Sequence, residues 1–395
     1  MSSKIGKGPT KAQTGCTRGR ISSLIVVSLF FRRAMKFQVA AGISCAASFL
    51  VGCAATPIKP ELVYYPAPPA VPRVVHLKSF NRLDEIVRVQ ENWLDRLRGR
   101  VGGSSVGTPA GIAYRNETLY VCDTDENVVH VWHLGRGAAR RIGEAKPAAL
   151  AKPVDVDVDD VGTVYVADSD RGEVLAFWAD GTWARSYRSD RAGAYRPAAI
   201  AVTGDRLYVA DIAGHRVDVY SCVDGAELES VGGIGTAPGR LYFPMGVAVG
   251  RVGGVYVSDM MNARVQVLDA ALAPSTSFGR PGNRVGDMGK PRHLAIGPDG
   301  VAFIADVEFA HVHMYGENGE VLMLFGGPND GTGGTPMPVG VAIAHSLPDA
   351  LASLTPPDFA ASYFLFVSNT VARKRLSLFA VGVGQPHRSG PAESR

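Results

Sequence analysis

Three polar residues could do chemistry, because they stand at or beside a position that is small elsewhere in a repeated sequence. Six prolines each begin a similar stretch, and in four stretches the residue two places later is small: Gly111, Ala199, Gly246 and Gly340. The other two stretches have Asp155 and His293 there, and Arg292 precedes His293. A carboxylate, an imidazole and a guanidinium that converge could bind an anion or a metal ion, or transfer a proton. The alternative is that these side chains only face water.

The elements that position these residues belong to a repeat with a period of 44 or 47 residues. The first landmark is the proline, found at Pro109, Pro153, Pro197, Pro244, Pro291 and Pro338. The second landmark follows 14 or 15 residues later in five units and 31 residues later in the sixth, where residues 345–362 are inserted. It is an acidic or amide residue: Asp123, Asp168, Asp211, Asp259, Asp306 and Asn369. The role of the insertion stays open.

These six aligned residues are predicted to be structural. An Asp at a strand end can accept hydrogen bonds from the backbone N–H groups of the following turn. Arg216 and Arg264, which open the next strand in their units, are the expected partners. The same side chain at the same place in every unit indicates repeat geometry rather than catalysis.

Each unit contains three clear strands and a weaker fourth. In one unit "GVAVG" (246–250) is rich in small residues, "VYVSD" (255–259) follows, and "RVQVLD" (264–269) alternates apolar with polar residues. "VLMLFG" (321–326) is typical of the fourth strand. Four antiparallel strands per unit, repeated around an axis, predict an all-β six-bladed β-propeller with one short helix. In such a ring the units of Asp155 and His293 face each other.

The pattern P-x-G-V-A, followed by V-Y-V-A-D and R-V-x-V, resembles the NHL repeat. The resemblance covers residues 109–381, and the copies at 244–269 and 197–220 fit best. It implies a six-bladed propeller. NHL-type propeller enzymes such as amidating lyases use metal-ligand sets in the central channel, and related lactonases hold calcium there with Asn, Asp and Glu. Here one His and one Asp are aligned, so no complete set is evident.

The last unit lacks a fourth strand, and a segment upstream of the first unit can supply it. "PRVVHLKSF" (72–80) has the fourth-strand pattern, so Val74–Phe80 is predicted to pair with Arg375–Val381 and close blade six. Residues 81–100 have the apolar spacing of an amphipathic helix, with Asn81 as its cap. The propeller is expected to span residues 74–381, with blades from residue 109 and a disordered tail at 382–395.

The N-terminus has the pattern of an export signal. Arg32, Arg33 and Lys36 precede an apolar run that ends in "LVGC" at Cys53. "LVGC" resembles a bacterial lipobox, which implies lipidation of Cys53 and an outer-membrane address facing the periplasm. Residues 1–53 are then a signal with a doubtful extension, because translation could start at Met35 or Met1. Residues 54–73 are expected to form a proline-rich tether. A plain transmembrane anchor is the alternative, although the run is shorter than the ~20 residues that a spanning helix needs.

Composition and motifs leave two hypotheses for function. A formal net charge of +4 on 395 residues gives no polybasic face for nucleic acid. The first hypothesis is a lipid-anchored, periplasmic or cell-surface scaffold that binds a protein, peptide or glycan and needs no cofactor. The alternative is a metal-dependent hydrolase or lyase with a divalent ion in the central channel at Asp155, His293 and Arg292. The sequence does not indicate the oligomeric state.

Overall fold

The chain folds as an all-β six-bladed propeller in the computed structural model, which describes residues 62–89, 105–189, 191 and 193–385. Blade one comprises β3 (Pro109–Arg115), β4 (Thr118–Asp123), β5 (Val128–His133) and β6 (Ala138–Ile142). Blade two comprises β7 (Pro153–Val158), β8 (Val164–Asp168), β9 (Glu173–Phe177) and β10 (Trp183–Tyr187). Blade three comprises β11 (Pro197–Thr203), β12 (Arg206–Asp211), β13 (Arg216–Ser221) and β14 (Glu227–Gly232).

The second half of the ring repeats this arrangement. Blade four comprises β15 (Pro244–Val249), β16 (Val255–Asp259), β17 (Arg264–Leu268) and β18 (Pro274–Phe278). Blade five comprises β19 (Pro291–Ile296), β20 (Ala302–Asp306), β21 (His311–Tyr315) and β22 (Val321–Gly326). Blade six comprises β23 (Pro338–Ala344), β24 (Phe359–Asn369) and β25 (Leu376–Gly384), completed by β2 (Val74–Phe80) and β1 (Val63–Tyr65) from the other end of the chain.

Each of the two sequence landmarks occupies the same structural position in every blade. Each repeat proline begins the innermost strand and lies opposite the landmark Asp or Asn that ends the second strand, and the register shifts immediately after the proline. Proline suits this position because a ladder hydrogen bond from its nitrogen is not required at a strand start beside a bulge. The residue before the proline then accepts a hydrogen bond from the residue after the landmark, for example Thr124 N to Thr108 O and Val307 N to Lys290 O.

The hydrophobic core lies between adjacent blades, because each sheet buries both faces against its neighbours. The cluster between blades six and one contains Phe80, Trp132 and Phe366, all fully buried. The Phe80 ring lies 6.3 Å from Trp132 and 6.5 Å from Phe366, within the range of favourable aromatic pairs. Burying each such side chain stabilises the fold by about 1.5–3 kcal/mol, so this junction ties the first blade to the last.

The seam that closes the ring joins β2 to β25. The strands are antiparallel, from Val74 opposite Val381 to Phe80 opposite Leu376, which is the pairing expected from the sequence. Next to the Phe80 end of the seam, the Oγ atoms of Ser79 and Ser377 are 2.9 Å apart.

Two expected boundaries at the seam differ from the structure. In the described part of the expected tether (54–73), Val63–Tyr65 adds a fifth strand to blade six by pairing with β2. β25 runs to Gly384, past the expected start of the tail at 382, because the N–H groups of Gly382 and Gly384 donate to Arg73 O and Pro72 O at 2.9 and 2.8 Å. Residues 54–61 and 386–395 lie outside the described residues.

The helix expected at 81–100 is not formed in its described part. Residues 81–89 contain only a 3-10 turn, at Leu83–Glu85. A similar 3-10 turn lies in blade four, at Met260–Asn262. Leu83, Ile86 and Val87 are buried in the core between blades six and one instead of lining one face of a helix. Residues 90–100 lie outside the described residues.

Asn81 does not cap a helix. Its side chain donates to Arg373 O at 2.8 Å and accepts from Arg375 N at 2.6 Å. These bonds fix the end of β2 to the turn between β24 and β25 and so extend the seam.

The insertion at residues 345–362 packs against the hydrophobic cluster between blades six and one. It contains the one α-helix of the described residues, α1 (Asp349–Ala352). Leu347 and Leu351 are buried in the cluster between blades six and one, and the Tyr114 hydroxyl donates to Ser346 O at 2.9 Å. The insertion therefore covers the junction of the first and last blades.

Candidate functional site

The innermost strands approach closely around the axis of the ring. Residues two places after the repeat prolines are small in four blades for a steric reason. A Cβ on Gly111 would collide with Asp155, and a Cβ on Gly340 would lie 2.7 Å from Ala110 O. The glycines therefore leave room at the axis for the two larger side chains, Asp155 and His293.

Asp155 and His293 meet across the ring. Nε2 of His293 lies 3.2 Å from Oδ1 of Asp155, within ion-pair distance although not aligned as a hydrogen bond, and no other described group donates to Oδ1. The Asp155 side chain is 1% exposed and that of His293 is 12% exposed. The expectation that these residues face each other is met, but Asp155 is shut off from solvent rather than facing channel water.

Each of the two side chains also binds the backbone of the next blade. Ile200 N donates to Oδ2 of Asp155 at 2.8 Å, and Val341 N donates to Nδ1 of His293 at 3.4 Å. Because Nδ1 accepts this bond, the neutral imidazole carries its proton on Nε2, the atom that faces Asp155. Both side chains thus join blades two and three and blades five and six.

The carboxylate of Asp155 makes the imidazole of His293 more basic. Burial has the largest single effect and lowers the pKa of His293, but the charge and close contact of Asp155, together with smaller contributions that include the charge of Asp157, outweigh burial, so the pKa of His293 is raised. A raised pKa means that the pair stabilises the fold most below the unfolded pKa of His and that this contribution falls as the pH rises through the folded value.

Arg292 does not join the pair. Its guanidinium forms no hydrogen bond and no ion pair with any described residue, and burial lowers the pKa of this side chain. The backbone oxygen of Arg292, in contrast, accepts a hydrogen bond from the Ser258 hydroxyl of blade four. The structure therefore brings together two of the three residues that the sequence singled out.

Asp155 and His293 do not make up a metal centre with their neighbours. A bound divalent ion needs at least three protein ligands in most catalytic sites, and the described residues contain no group of three His, Cys, Asp or Glu side chains placed to hold one. The nearest further carboxylate on β7, Asp157, accepts Val202 N at 2.7 Å and Val158 N at 2.8 Å. Burial raises the pKa of Asp157 to about 6. The donor set does not fit a resident metal.

The landmark carboxylates make the hydrogen bonds expected of them and further bonds to the loop before the proline. Asp306 accepts Glu308 N and Phe309 N from the following turn, and Gly289 N and Lys290 N from the preceding loop, at 2.7–3.3 Å. The predicted arginine partners are present as well: Arg216 Nη2 lies 3.0 Å from Asp211, and Arg264 Nε lies 2.9 Å from Asp259.

All six landmark side chains are buried, but not all of them accept backbone hydrogen bonds as Asp306 does. Asp123 and Asp168 accept the same two kinds of backbone bond as Asp306. Asn369 is also buried, but its side-chain atoms have no hydrogen-bond partner. An uncharged amide thus occupies this place only in the blade that is closed by a strand from the other end of the chain.

Two serines that tie neighbouring blades were missed by sequence reasoning. The hydroxyls of Ser258 and Ser368 donate to backbone oxygens of the next innermost strand, at Arg292 and at Ala110. The signal was present, because the repeat reads "VYVSD" at 255–259 but "VYVAD" at 164–168.

The chain is similar in structure to several propeller enzymes. A streptogramin B lyase matches with a TM-score of 0.50 and 11% identity over 70% of this chain and 94% of the lyase. A virginiamycin B lyase from Staphylococcus aureus, solved with quinupristin, matches at 0.50 with 13% identity over 70% and 96%. A gluconolactonase from Xanthomonas campestris matches at 0.51 with 14% identity over 78% and 89%. At these identities the likeness shows the fold alone.

Comparisons of sequence add no family. No family model matches the chain, and no curated protein matches it, so the NHL resemblance stays a prediction. Cys53 lies outside the described residues. Among the described residues, no helix has the length and apolar character to cross a membrane.

Proposed function

We propose that this chain is an exported, lipid-anchored binding protein of the outer membrane, facing the periplasm, whose propeller presents its surface to a protein or peptide. The proposal rests on the contacts that the side chains of Asp155 and His293 make at the axis of the ring. Asp155 and His293 are bonded to the backbone of neighbouring blades and face each other. Groups held in this way stabilise the ring and are not presented to a substrate.

A surface feature supports a protein or peptide partner. Trp178 and Trp183, on the hairpin between β9 and β10, are 54% and 46% exposed, while Trp132 is fully buried. Arg140 donates to Ala179 O of this hairpin at 2.7 Å, and Arg185 lies on β10 itself. Trp and Arg are the side chains most enriched in the energetic centres of protein–protein interfaces. The hairpin is therefore the contact surface that we assign to the partner.

The binding proposal is tested with the purified full-length chain in detergent, immobilised and exposed to a periplasmic and membrane extract. We expect saturable capture of one partner that is lost in the W178S/W183S double variant and retained in V252S. Val252 is a matched control because it is 86% exposed on a turn of blade four. Capture that survives protease treatment of the extract would indicate a glycan, and equal capture by all variants would contradict the assigned surface.

The alternative is a metal-dependent hydrolase or lyase, and the observation in its favour is that a His and a carboxylate lie 3.2 Å apart at the axis. A metal ion there would need ligands beyond these two residues. The metal content of the purified chain distinguishes the two functions. A stoichiometric divalent ion that is lost in His293→Gln would support the enzyme and contradict the scaffold.

The lipid anchor at Cys53 is tested separately, by labelling with a radioactive fatty acid and with Cys53→Ala as the control.

A further inference from the structure

Arg292 is an unusual cation for its surroundings. It is half-buried on β19, one residue after the proline that begins this innermost strand. Its guanidinium has five N–H donors, yet no described residue accepts from it. Burial of a cation without a partner costs free energy, and folded proteins normally pair such groups.

The carboxylates in its neighbourhood are engaged elsewhere. Asp155 faces His293 and accepts Ile200 N. Asp306, at the end of the strand paired with β19, accepts four backbone N–H groups. Burial alone accounts for the lowered pKa of Arg292, without any carboxylate to raise it. The counter-ion of Arg292 is therefore not part of the described chain.

At the end of the ring that carries Arg292, the residues just before the repeat prolines include cations and no carboxylate. All six innermost strands begin at this end, and the residue before each repeat proline lies on the rim. Three of these six residues are Lys or Arg and none is acidic: Thr108, Lys152, Arg196, Phe243, Lys290 and Met337. Lys290 has a partner in Glu308 at 3.4 Å, but both are about half exposed, so the pair contributes little. Lys152 and Arg196 have no acidic partner among the described residues.

We propose that Arg292 is the central cation of an oxyanion-binding site at this end of the ring, and that its ligand carries a carboxylate or a phosphate group. The planar guanidinium matches the two oxygens of such a group through paired hydrogen bonds. Lys152 and Arg196 on the rim attract the anion, and the partial exposure of Arg292 admits it. The site lies at the opposite end of the ring from the β9–β10 hairpin, since β9 runs parallel to the innermost strand and ends at the far side. It is therefore independent of the partner surface proposed above.

The proposal also predicts how Arg292 affects the thermal stability of the ligand-free protein. Replacing Arg292 with Met keeps most of the volume and removes an unpaired, half-buried charge. We expect Arg292→Met to unfold at the same or a higher temperature than the parent chain in buffer without oxyanions. A clear fall in unfolding temperature would mean that Arg292 makes structural contacts, and it would overturn the proposal.

The direct test is calorimetric titration of the purified full-length chain with inorganic phosphate and, separately, with acetate. We expect at least one of them to bind, with affinity about 10- to 100-fold weaker in Arg292→Met, the loss expected for charge-assisted hydrogen bonds. Arg292→Lys should lose part of the affinity, because it keeps the charge but not the fork. The anion that binds identifies the chemical class of the natural ligand.

The matched control is Arg251→Met, which removes the same charge from the opposite end of the ring. Arg251 is exposed on the turn after β15 and donates to Pro298 O at 3.2 Å. Its variant should bind like the parent chain. The proposal is overturned if neither anion binds the parent chain, or if Arg292→Met and Arg292→Lys both bind as tightly as Arg251→Met. None of these outcomes affects capture through the Trp178 hairpin.

Discussion

Acid is expected to weaken the seam through His76, which lies on the closing strand β2. The imidazole is 4% exposed, its Nε2 lies 2.8 Å from the Ser79 hydroxyl, and its ring packs edge-on against Phe379. Burial lowers the pKa of His76 from 6.5 to about 4. Between these two values the unfolded chain binds a proton that the folded chain does not, so stability falls as the pH falls.

The size of this effect follows from the shift. Between pH 7 and pH 4, His76 removes about 3 kcal/mol of the free energy of unfolding, since each pH unit of difference corresponds to about 1.4 kcal/mol. His76→Gln keeps a polar group beside Ser79 but cannot be protonated in this range. The variant should therefore lose about 3 kcal/mol less stability than the parent chain over the same interval.

The assay is urea unfolding of the purified full-length chain and its variants at pH 7 and pH 4. His345→Gln is the control, because His345 is exposed on the loop after β23 and should leave the pH dependence unchanged. If the parent chain and His76→Gln lose the same stability between the two pH values, His76 is not buried in the seam.

Three further variants test the ring. Ser79→Cys combined with Ser377→Cys should form a disulfide under mild oxidation, visible by mass spectrometry, since the two residues are directly opposite with Oγ atoms 2.9 Å apart; absence of the crosslink would contradict the seam. Asn81→Ala should lower the free energy of unfolding by about 1 kcal/mol in urea, because Arg373 O and Arg375 N lose hydrogen bonds, and no change would mean that these two groups find other partners. Asp306→Asn should lower it by about 1–3 kcal/mol or more, because an amide NH2 then faces backbone N–H donors; unchanged hydrogen-exchange rates at Gly289 and Lys290 would contradict this.

The repeat made most of the fold predictable. Each landmark proline sits at a strand start and each landmark Asp at a strand end, so the two spacings alone locate the blades and count them. The missing fourth strand of the last unit required a donor, and Val74–Phe80 had the right pattern.

Features that depend on contacts between distant parts of the chain were harder to predict. Val63–Tyr65 forms a strand only because β2 is already docked on β25. The apolar spacing after Asn81 is typical of a helix, but Leu83 and Ile86 are buried by blades six and one, and tertiary packing overrides the periodicity.

The sequence predicted where the residues of the candidate site lie in the ring, but not which contacts their side chains make. A six-fold ring places the second and fifth units opposite each other, so the sequence indicated that Asp155 and His293 face across the axis. It did not indicate that they would lie 3.2 Å apart, because that distance depends on the glycines that let the inner strands close in. Nor does sequence show that Arg292, beside His293 in the chain, is left without a partner, since the register shift after Pro291 decides where each side chain lies.

The pairing of Asp155 with His293 depends on a closed ring of six blades, and it occupies the two polar side chains at the axis. The measurement is a nuclear magnetic resonance titration of the His293 imidazole in the parent chain and in Asp155→Asn, with the signal assigned by its loss in His293→Gln. We predict a His293 pKa above 6.5 in the parent chain and a lower value in Asp155→Asn. The same pKa in both proteins would show that the two residues do not meet, and it would contradict both the arrangement of blades and the function inferred from it.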